Sequence, residues 1–188
     1  MAAARELFAK RGFARVSMDE IAAKAGLTKP TLYAAFEDKA DVFYRALSIE
    51  VADWSRQLLA AADPGLPAPE LLAAHALNGM AQLKDRPLVL ALLSGECESL
   101  GWASKGFAEL RAKLNESTVR ILEIGVSQGA FRDDLDLVTT ADLLLDLQVS
   151  AALFHGLNSP AKADVLAARF VVGFELVLRG LTRRASAG

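Results

Sequence analysis

The sequence has very few residues suited to redox or metal chemistry. Its 188 residues include one cysteine, Cys97, and two histidines, His75 and His155. One cysteine cannot form an intramolecular disulfide, and these three residues do not reach the ligand count or spacing of a zinc site. We interpret them as ordinary residues of helix faces and cores, and we expect the protein to use no metal and no other cofactor.

Long apolar runs are also lacking. The longer runs, such as residues 87–93, are interrupted far short of the roughly 20 residues that a membrane-spanning helix needs. The first residues lack the continuous apolar core of a signal peptide, because Arg5, Glu6, Lys10 and Arg11 interrupt it. The sequence therefore predicts no membrane partner and a cytoplasmic location.

The motifs of common enzyme classes are missing as well. The sequence shows no nucleophile paired with a base, no cluster of metal ligands and no glycine-rich phosphate loop. The acidic pair Asp133 and Asp134 is more simply a solvated turn than a catalytic pair. We predict that the protein is not an enzyme, and a helical enzyme is the least favoured alternative.

The residues that are present favour helices. Apolar residues make up 53% of the chain, with Ala and Leu dominant, while aromatic residues make up only 7%. This composition favours helix over strand throughout. The net charge of −2 argues against a protein that coats nucleic acid, and residues 1–50 carry eight Lys and Arg against seven Asp and Glu. Any affinity for DNA must therefore depend on where cations and amide groups point.

Two complete helix-start signals follow each other in the segment VSMDEIAAKAGLTKPTLY. Ser17 and Glu20 form a capping box, and Gly26 ends that helix after about two turns. Thr28 then caps a third helix. Together with a short first helix that ends at a left-handed Gly12, this pattern predicts a three-helix head containing a helix-turn-helix.

A long fourth helix is predicted to connect this head to the rest of the chain. Asp38 caps it, and it runs from Lys39 to about Ala62, which is roughly 35 Å at 1.5 Å per residue. We place the domain boundary inside it, between residues 1–47 and 48–188. Further helices are predicted at about 68–84, 87–100, 103–129, 137–157 and 161–184. The predicted fold is all-α, a helix-turn-helix head followed by a bundle of about five to six helices.

The start of the third helix is suited to contact DNA. A recognition helix presents its first residues to base edges, and its free amide groups bind anions. Lys29 supplies a cation, Pro30 and Thr31 form a compact surface, and Tyr33 offers a ring and a hydroxyl that can reach a phosphate. Lys39 in the first turn of the fourth helix is unfavourable for the helix dipole, a cost that a phosphate would offset. A solvated surface lysine is the alternative interpretation.

The block ARELFAKRGFARVSMDEIAAKAGLTKPTLYAAFEDKADVF, residues 4–43, resembles the N-terminal domain of the TetR/AcrR family of bacterial transcriptional regulators. The matching landmarks are LFAKRGF, the capped SMDEIAAKAG, TLY, and FEDK before the long helix. The resemblance implies a homodimer, a helical C-terminal domain with an effector pocket, and repression that the effector relieves. Family members usually have a longer first helix with a basic arm before it, so we expect fewer phosphate contacts from a chain that starts almost at ARELF.

The resemblance also assigns the DNA-binding residues. It implies a double-stranded, palindromic operator as partner. The positions that match phosphate contacts are Ser17, Thr28, Thr31, Tyr33 and Lys39, and those that match base contacts are Lys29 and Pro30.

Candidate residues for the effector and dimer sites follow from the same resemblance. An effector pocket between the middle helices would have apolar walls, which predicts a hydrophobic small molecule. Its candidate lining residues are Trp54, Leu58, Met80, Leu92, Leu93, Cys97, Trp102, Phe107 and Phe154. The last two helices would form half of an intersubunit four-helix bundle. Its candidate residues are Leu147, Phe154, Leu166, Phe170, Gly173, Phe174, Val177 and Leu181.

Two alternatives stay open from the sequence. The apolar face of the last helix could equally belong to an intrachain core. The whole chain could be a DNA-binding architectural or partner-binding protein that has the head but no effector.

Overall fold

The chain folds into helices throughout the part that the computed structural model describes, which comprises residues 1–63, 65–93, 105–156 and 163–182. Within these ranges it contains nine α-helices and one short 3-10 turn at Leu83–Asp85. The helices are α1 (Ala2–Arg11), α2 (Met18–Ala25), α3 (Lys29–Ala35), α4 (Lys39–Ala60), α5 (Ala68–Gln82), α6 (Pro87–Leu93), α7 (Lys105–Ser127), α8 (Leu137–Gly156) and α9 (Ala163–Leu181). The predicted all-α fold is confirmed. The described helix ends lie within a few residues of the predicted positions, except that the predicted end of α6 near residue 100 falls outside the described residues.

The predicted caps of the first helices form with one exception. The Ser17 hydroxyl accepts a hydrogen bond from the Glu20 amide, and the Glu20 side chain accepts one from the Ser17 amide, which completes the capping box. Gly26 adopts the left-handed conformation, with φ of 67° and ψ of 28°. Thr28 caps α3 by accepting from the Thr31 amide. Gly12 ends α1 with φ of 75°, but its ψ of 164° is outside the left-handed helical region.

The chain divides into two compact units that differ from the predicted domains. The first consists of Met1–Trp54 with Gln82–Lys113, and the second of Ser55–Ala81 with Leu114–Gly188. Helix α4 therefore contributes residues to both units. The division into domains at residues 1–47 and 48–188 stays a prediction.

Three phenylalanines form the centre of the first unit's head. The ring centroids of Phe8 and Phe13 lie 5.9 Å apart, and each lies 5.2 Å from the centroid of Phe43. All three side chains are buried. Helix α6 packs against α1 in the same unit, so the head has a contact with residues far along the chain.

The second unit has its own apolar core. It is built from α5, α7, α8, α9 and the turn after α7, and its buried members are Ala68, Leu71, Leu72, Ala76, Ile121, Leu122, Phe131, Ala141, Leu144, Phe170, Phe174 and Leu181. Phe170, Phe174 and Leu181 were candidates for a dimer interface. In the single chain they are buried in the core, as in the alternative that the sequence left open, because α9 turns this side toward α5, α7 and α8.

The other candidate residues do not decide whether α8 and α9 form a dimer interface. Leu147, Gly173 and Val177 are half-buried in the single chain, and the side chains of Phe154 and Leu166 lie outside the described residues. The predicted interface on α8 and α9 therefore stays a prediction. Among the described residues, no helix is long and apolar enough to cross a membrane.

Candidate nucleic-acid interface

The head carries an open groove where α2, α3 and the start of α4 meet the loop after α1. Its volume is about 470 Å³. Four of the seven residues predicted to bind DNA line it, namely Ser17, Lys29, Tyr33 and Lys39. The other lining residues are Ala14, Arg15, Val16, Met18 and Asp19. The structure thus brings together side chains that are up to 25 positions apart in the sequence.

Lys29, the first residue of α3, is held by a carboxylate of α2. Its Nζ lies 2.9 Å from Oδ1 and 3.1 Å from Oδ2 of Asp19. The Asp19 carboxylate raises the pKa of Lys29, so the ammonium keeps its charge at any physiological pH. Both side chains remain more than half exposed, at 59% for Lys29 and 64% for Asp19. The pair therefore lies at the surface, where another anion can compete for the ammonium.

The rest of the α3 start is an exposed, hydroxyl-bearing surface. Tyr33 is 47% exposed, which leaves its ring and hydroxyl accessible to a partner. Pro30 and Thr31 are exposed beside it. The Thr28 and Thr31 hydroxyl oxygens lie 2.7 Å apart, so one donates to the other. These groups are positioned by the Thr28 cap, which fixes the first turn of α3.

Lys39 has a second role besides the predicted phosphate contact. Its Nζ donates to the backbone oxygens of Phe13 at 3.0 Å and Ala14 at 3.4 Å, and it lies 4.4 Å from the centroid of the Phe13 ring. The ammonium thereby ties the start of α4 to the loop after α1, which satisfies backbone carbonyls that no helix uses. The alternative of a merely solvated lysine does not describe this residue.

The hydroxyl of Ser17 is already used inside the protein. It donates to Oε2 of Glu20 at 2.9 Å, and Glu20 also pairs with Arg11. The Arg11 hydrogen bond and the Ser17 contacts hold the pKa of Glu20 down to about 2. A direct bond from the Ser17 hydroxyl to a phosphate would require this arrangement to change, so Ser17 serves first as the cap of α2.

Five residues of the groove were not predicted from the sequence, and two of them, Arg15 and Asp19, are charged. Arg15 and Asp19 lie two positions before and two positions after the Ser17 cap, and both line the groove. Their closeness to the cap was the available signal, since a groove beside a helix start is built from the cap's neighbours. With Arg15, Lys29 and Lys39 against Asp19, the described groove has an excess of positive charge, as a phosphate-binding surface needs.

The residues predicted to line an effector pocket are divided between the two units. Trp54 and Leu92 are buried in the first unit, while Leu58 is buried and Met80 partly buried in the second. The remaining five candidates have side chains outside the described residues, namely Leu93, Cys97, Trp102, Phe107 and Phe154. The predicted pocket is therefore not tested by the structure.

His75 is a core histidine of the second unit. It is buried on α5, and its Nε2 lies 3.1 Å from the Ser117 hydroxyl of α7. Burial lowers its pKa, so the ring is neutral at physiological pH. Among the described residues, no group of three or more His, Cys, Asp or Glu side chains is placed to hold a metal. The side chain of His155 lies outside the described part of the chain.

Comparison with known proteins connects the groove to a family. Residues 1–46 match the family described as bacterial regulatory proteins, tetR family. The chain is 26% identical over 184 residues to the HTH-type transcriptional repressor KstR2 of Rhodococcus jostii, covering 95% of this chain and 87% of KstR2. It is 26% identical over 150 residues to the HTH-type transcriptional repressor BepR of Brucella suis, covering 76% of this chain and 72% of BepR.

Solved structures extend the similarity along the chain. A TetR-family transcriptional regulator from Pectobacterium atrosepticum has a TM-score of 0.75 and 26% sequence identity, covering 97% of this chain and 92% of that one. The similarity therefore includes the helices after the head as well as the head itself.

Proposed function

We propose that this chain is a DNA-binding transcriptional regulator of the tetR family, and that it acts as a dimeric repressor that a small hydrophobic molecule releases from its operator. The observation that carries the proposal is the groove of the head, in which Lys29, Tyr33 and Lys39 meet at the start of α3. KstR2 and BepR, which it resembles, are repressors. Because a bacterial regulator must reach its operator DNA, the proposed function implies a cytoplasmic location.

The roles proposed within the groove follow from position. Lys29 and Pro30 lie at the exposed start of α3, which is the part of a recognition helix that reaches base edges in the major groove. Tyr33 and Lys39 line the groove one turn or more away, where the DNA backbone passes, and phosphate contacts there position the head without specifying sequence.

Selection of bound duplexes from a random library tests this proposal directly. We expect a palindromic motif whose half-sites are about one helical turn or more apart, because two heads related by a two-fold axis fit successive major grooves. Lys29→Ala should relax the preference at one or two base pairs, whereas Tyr33→Phe should weaken binding to all sequences about equally. No enrichment by protein that is folded and dimeric would contradict the proposal.

The dimer would use the outward face of α8 and α9. Val172 and Leu176 are one turn apart on α9 and are 57% and 64% exposed, and Leu143 on α8 is 52% exposed. Gly180 continues the same α9 stripe with open space around it, which lets another helix approach closely. Large apolar side chains exposed along neighbouring helices are typical of a surface that a partner covers.

Leu176→Glu is expected to weaken the dimer at least about tenfold in its dissociation constant, because a carboxylate would be buried at the centre of this face. Sedimentation equilibrium measures the change. Leu77→Glu is the matched control, since Leu77 is an equally large apolar residue, 50% exposed, on a different helix, α5. Equal effects of the two substitutions, or none from Leu176→Glu, would show that α9 does not form the interface.

Effector release is the part of the proposal that distinguishes a repressor from an architectural protein. Binding would shift the population toward a state in which the two heads no longer match a spacing of roughly 34 Å. The apolar character of the predicted lining residues favours a hydrophobic molecule. A diverse compound library that leaves both the melting temperature and DNA binding unchanged would favour the alternative without an effector.

A further inference from the structure

We propose that the Arg15 side chain binds a phosphate of the DNA backbone, a contact that neither the sequence nor the family resemblance assigned. The inference rests on the proposed function, since it requires the groove to bind DNA. Arg15 belongs to the loop between α1 and α2 rather than to the recognition helix α3.

Arg15 differs from every other cation of residues 1–50, all of which the structure describes. This segment has eight Lys and Arg residues, and the seven others each have a partner within the chain. The partners are Asp53 for Arg5, Glu6 for Lys10 and Lys24, Glu20 for Arg11, Asp19 for Lys29, the Phe13 oxygen for Lys39 and Asp41 for Arg45. The Arg15 guanidinium has no such partner in the described part of the chain, and the residue is exposed.

An unpaired cation gains more from a phosphate than a paired one. Lys29 would have to leave the Asp19 carboxylate to bind a phosphate, and Lys39 would have to leave two backbone oxygens. Each exchange offsets part of the gain, whereas Arg15 loses only water. Its planar guanidinium can also donate to two phosphate oxygens at once, which an ammonium does less well.

The backbone that carries Arg15 is held at three consecutive carbonyl groups. Lys39 donates to the oxygens of Phe13 and Ala14. Nη2 of Arg11 donates to the Arg15 oxygen at 3.0 Å. These bonds connect the loop to α4 and to α1, so its backbone is already ordered before DNA arrives. Such ordering lowers the entropy cost of placing the side chain on a phosphate.

The position of Arg15 favours a phosphate over a base. It lines the groove together with Tyr33 and Lys39, the residues proposed to contact the DNA backbone. It also lies two positions before the Ser17 cap of α2, the first helix of the helix-turn-helix. In this motif the first helix crosses the backbone while the second enters the major groove. Arg15 should therefore contribute equally to binding of every sequence.

The test compares wild type, Arg15→Gln and Arg15→Lys on the duplex obtained by selection and on its shuffled sequence. Fluorescence anisotropy at several salt concentrations gives the dissociation constants and their salt dependence. Arg15→Gln removes the charge, whereas Arg15→Lys keeps it. Lys10→Gln is the matched control, because it removes the same charge from an exposed residue that does not line the groove, and Glu6 keeps Lys24 as a partner.

We expect Arg15→Gln to weaken binding to both duplexes about tenfold, since each of the two heads of a dimer loses a charge-assisted contact. The slope of log affinity against log salt should become shallower by about one per head. Arg15→Lys should keep that slope and weaken binding by about threefold or less. Lys10→Gln should leave the slope nearly unchanged. All variants should melt within about 2 °C of wild type, because the substituted residues are exposed.

Several results would overturn the inference while leaving the proposed function intact. Arg15→Gln with affinity and salt slope like wild type would show that Arg15 meets no phosphate, and a loss confined to the selected duplex would show that it reads a base. A slope that falls as much in Lys10→Gln or Arg15→Lys as in Arg15→Gln would exclude a specific charge contact, and a large drop in melting temperature would indicate a role in folding.

Failure of the proposed function has a different signature. Wild type that binds both duplexes equally would contradict a sequence-specific repressor, while the Arg15 variants would still decide whether the loop binds phosphate. Wild type that binds neither duplex would contradict both.

Discussion

Gly125→Ala is expected to lower the free energy of unfolding by about 3 kcal/mol, the upper part of the usual range for an overpacked core. A methyl group at Gly125 would lie 2.0 and 2.3 Å from Cδ2 and Cε2 of Phe131. Contacts this short cannot exist, so either the ring or α7 must move.

The Phe131 ring has little room to move. Its side chain is only 1% exposed, and its amide donates to the Gly125 oxygen at 3.0 Å. The next amide, that of Arg132, donates to the Leu181 oxygen at 2.9 Å and so ties the turn to the end of α9. Displacing the ring would disturb both the turn and the α9 contact. Small shifts of the surrounding residues therefore cannot relieve the overlap.

Urea unfolding at a fixed protein concentration measures the effect. Glu123→Ala is the control, since it makes the same residue at an exposed position of the same helix and should stay within about 0.5 kcal/mol. In a Phe131→Leu background the cost of Gly125→Ala should shrink, because the shorter side chain leaves space for the methyl group. An undiminished cost in that background would show that the clash with the ring is not the cause.

Glu50→Ala is expected to cost about 2 to 3 kcal/mol of unfolding free energy, because it removes the partner of two buried amides. Oε1 of Glu50 accepts from the Leu88 amide at 3.1 Å and the Val89 amide at 3.2 Å. These amides belong to the first turn of α6, where no helical partner exists for them. Glu50, which is 3% exposed on α4, thus caps a helix almost forty residues away.

Glu50→Gln separates the hydrogen bonds from the charge. Its amide oxygen can still accept from Leu88 and Val89, so we expect a much smaller loss than with Ala. Hydrogen exchange at the Leu88 and Val89 amides should quicken in Glu50→Ala and change little in Glu50→Gln. Equal losses in the two variants would mean that the contact contributes through packing or charge rather than through capping.

The charge of Glu50 also predicts a pH dependence. Burial raises its pKa above the ordinary value of 4.5, although the Val89 and Leu88 hydrogen bonds oppose the rise. The folded protein therefore keeps this proton where the unfolded chain has lost it, so the contribution of Glu50 to stability falls as pH rises from about 4.5 through the raised native pKa. The free energy of unfolding of Glu50→Gln, taken relative to that of wild type, should therefore rise with pH across that window.

The helices of the head could be predicted because their signals are local. Ser17 with Glu20, Gly26, and Thr28 with Thr31 each act within four residues, and the backbone geometry they impose does not depend on the rest of the chain. The same is true of Asp38, whose Oδ1 accepts from the Asp41 amide at 2.9 Å at the start of α4. These signals were sufficient for the fold class. Four of the nine residues that line the groove were also predicted, and their contacts with DNA stay a prediction.

The contacts between distant residues could not be obtained in this way. Nothing near Lys29 in the sequence shows that Asp19 holds it, and nothing near Glu50 shows that it caps α6. The sequence around Gly125 gave no signal either. The Phe131 ring, on the opposite side of a turn, is what leaves no space for a side chain at residue 125. Such contacts depend on how helices pack, which local periodicity does not encode.

Helix α9 shows most clearly which features follow from the sequence and which depend on tertiary packing. Its apolar residues recur around much of the helix, so the sequence by itself determined that it is a helix with a wide apolar face. Packing against α5, α7 and α8 decided that Phe170 and Phe174 point inward and that Val172 and Leu176 stay exposed. The physical reason is that α5, α7 and α8 pack against only one side of α9. Which side they bury depends on helices that lie far away in the sequence.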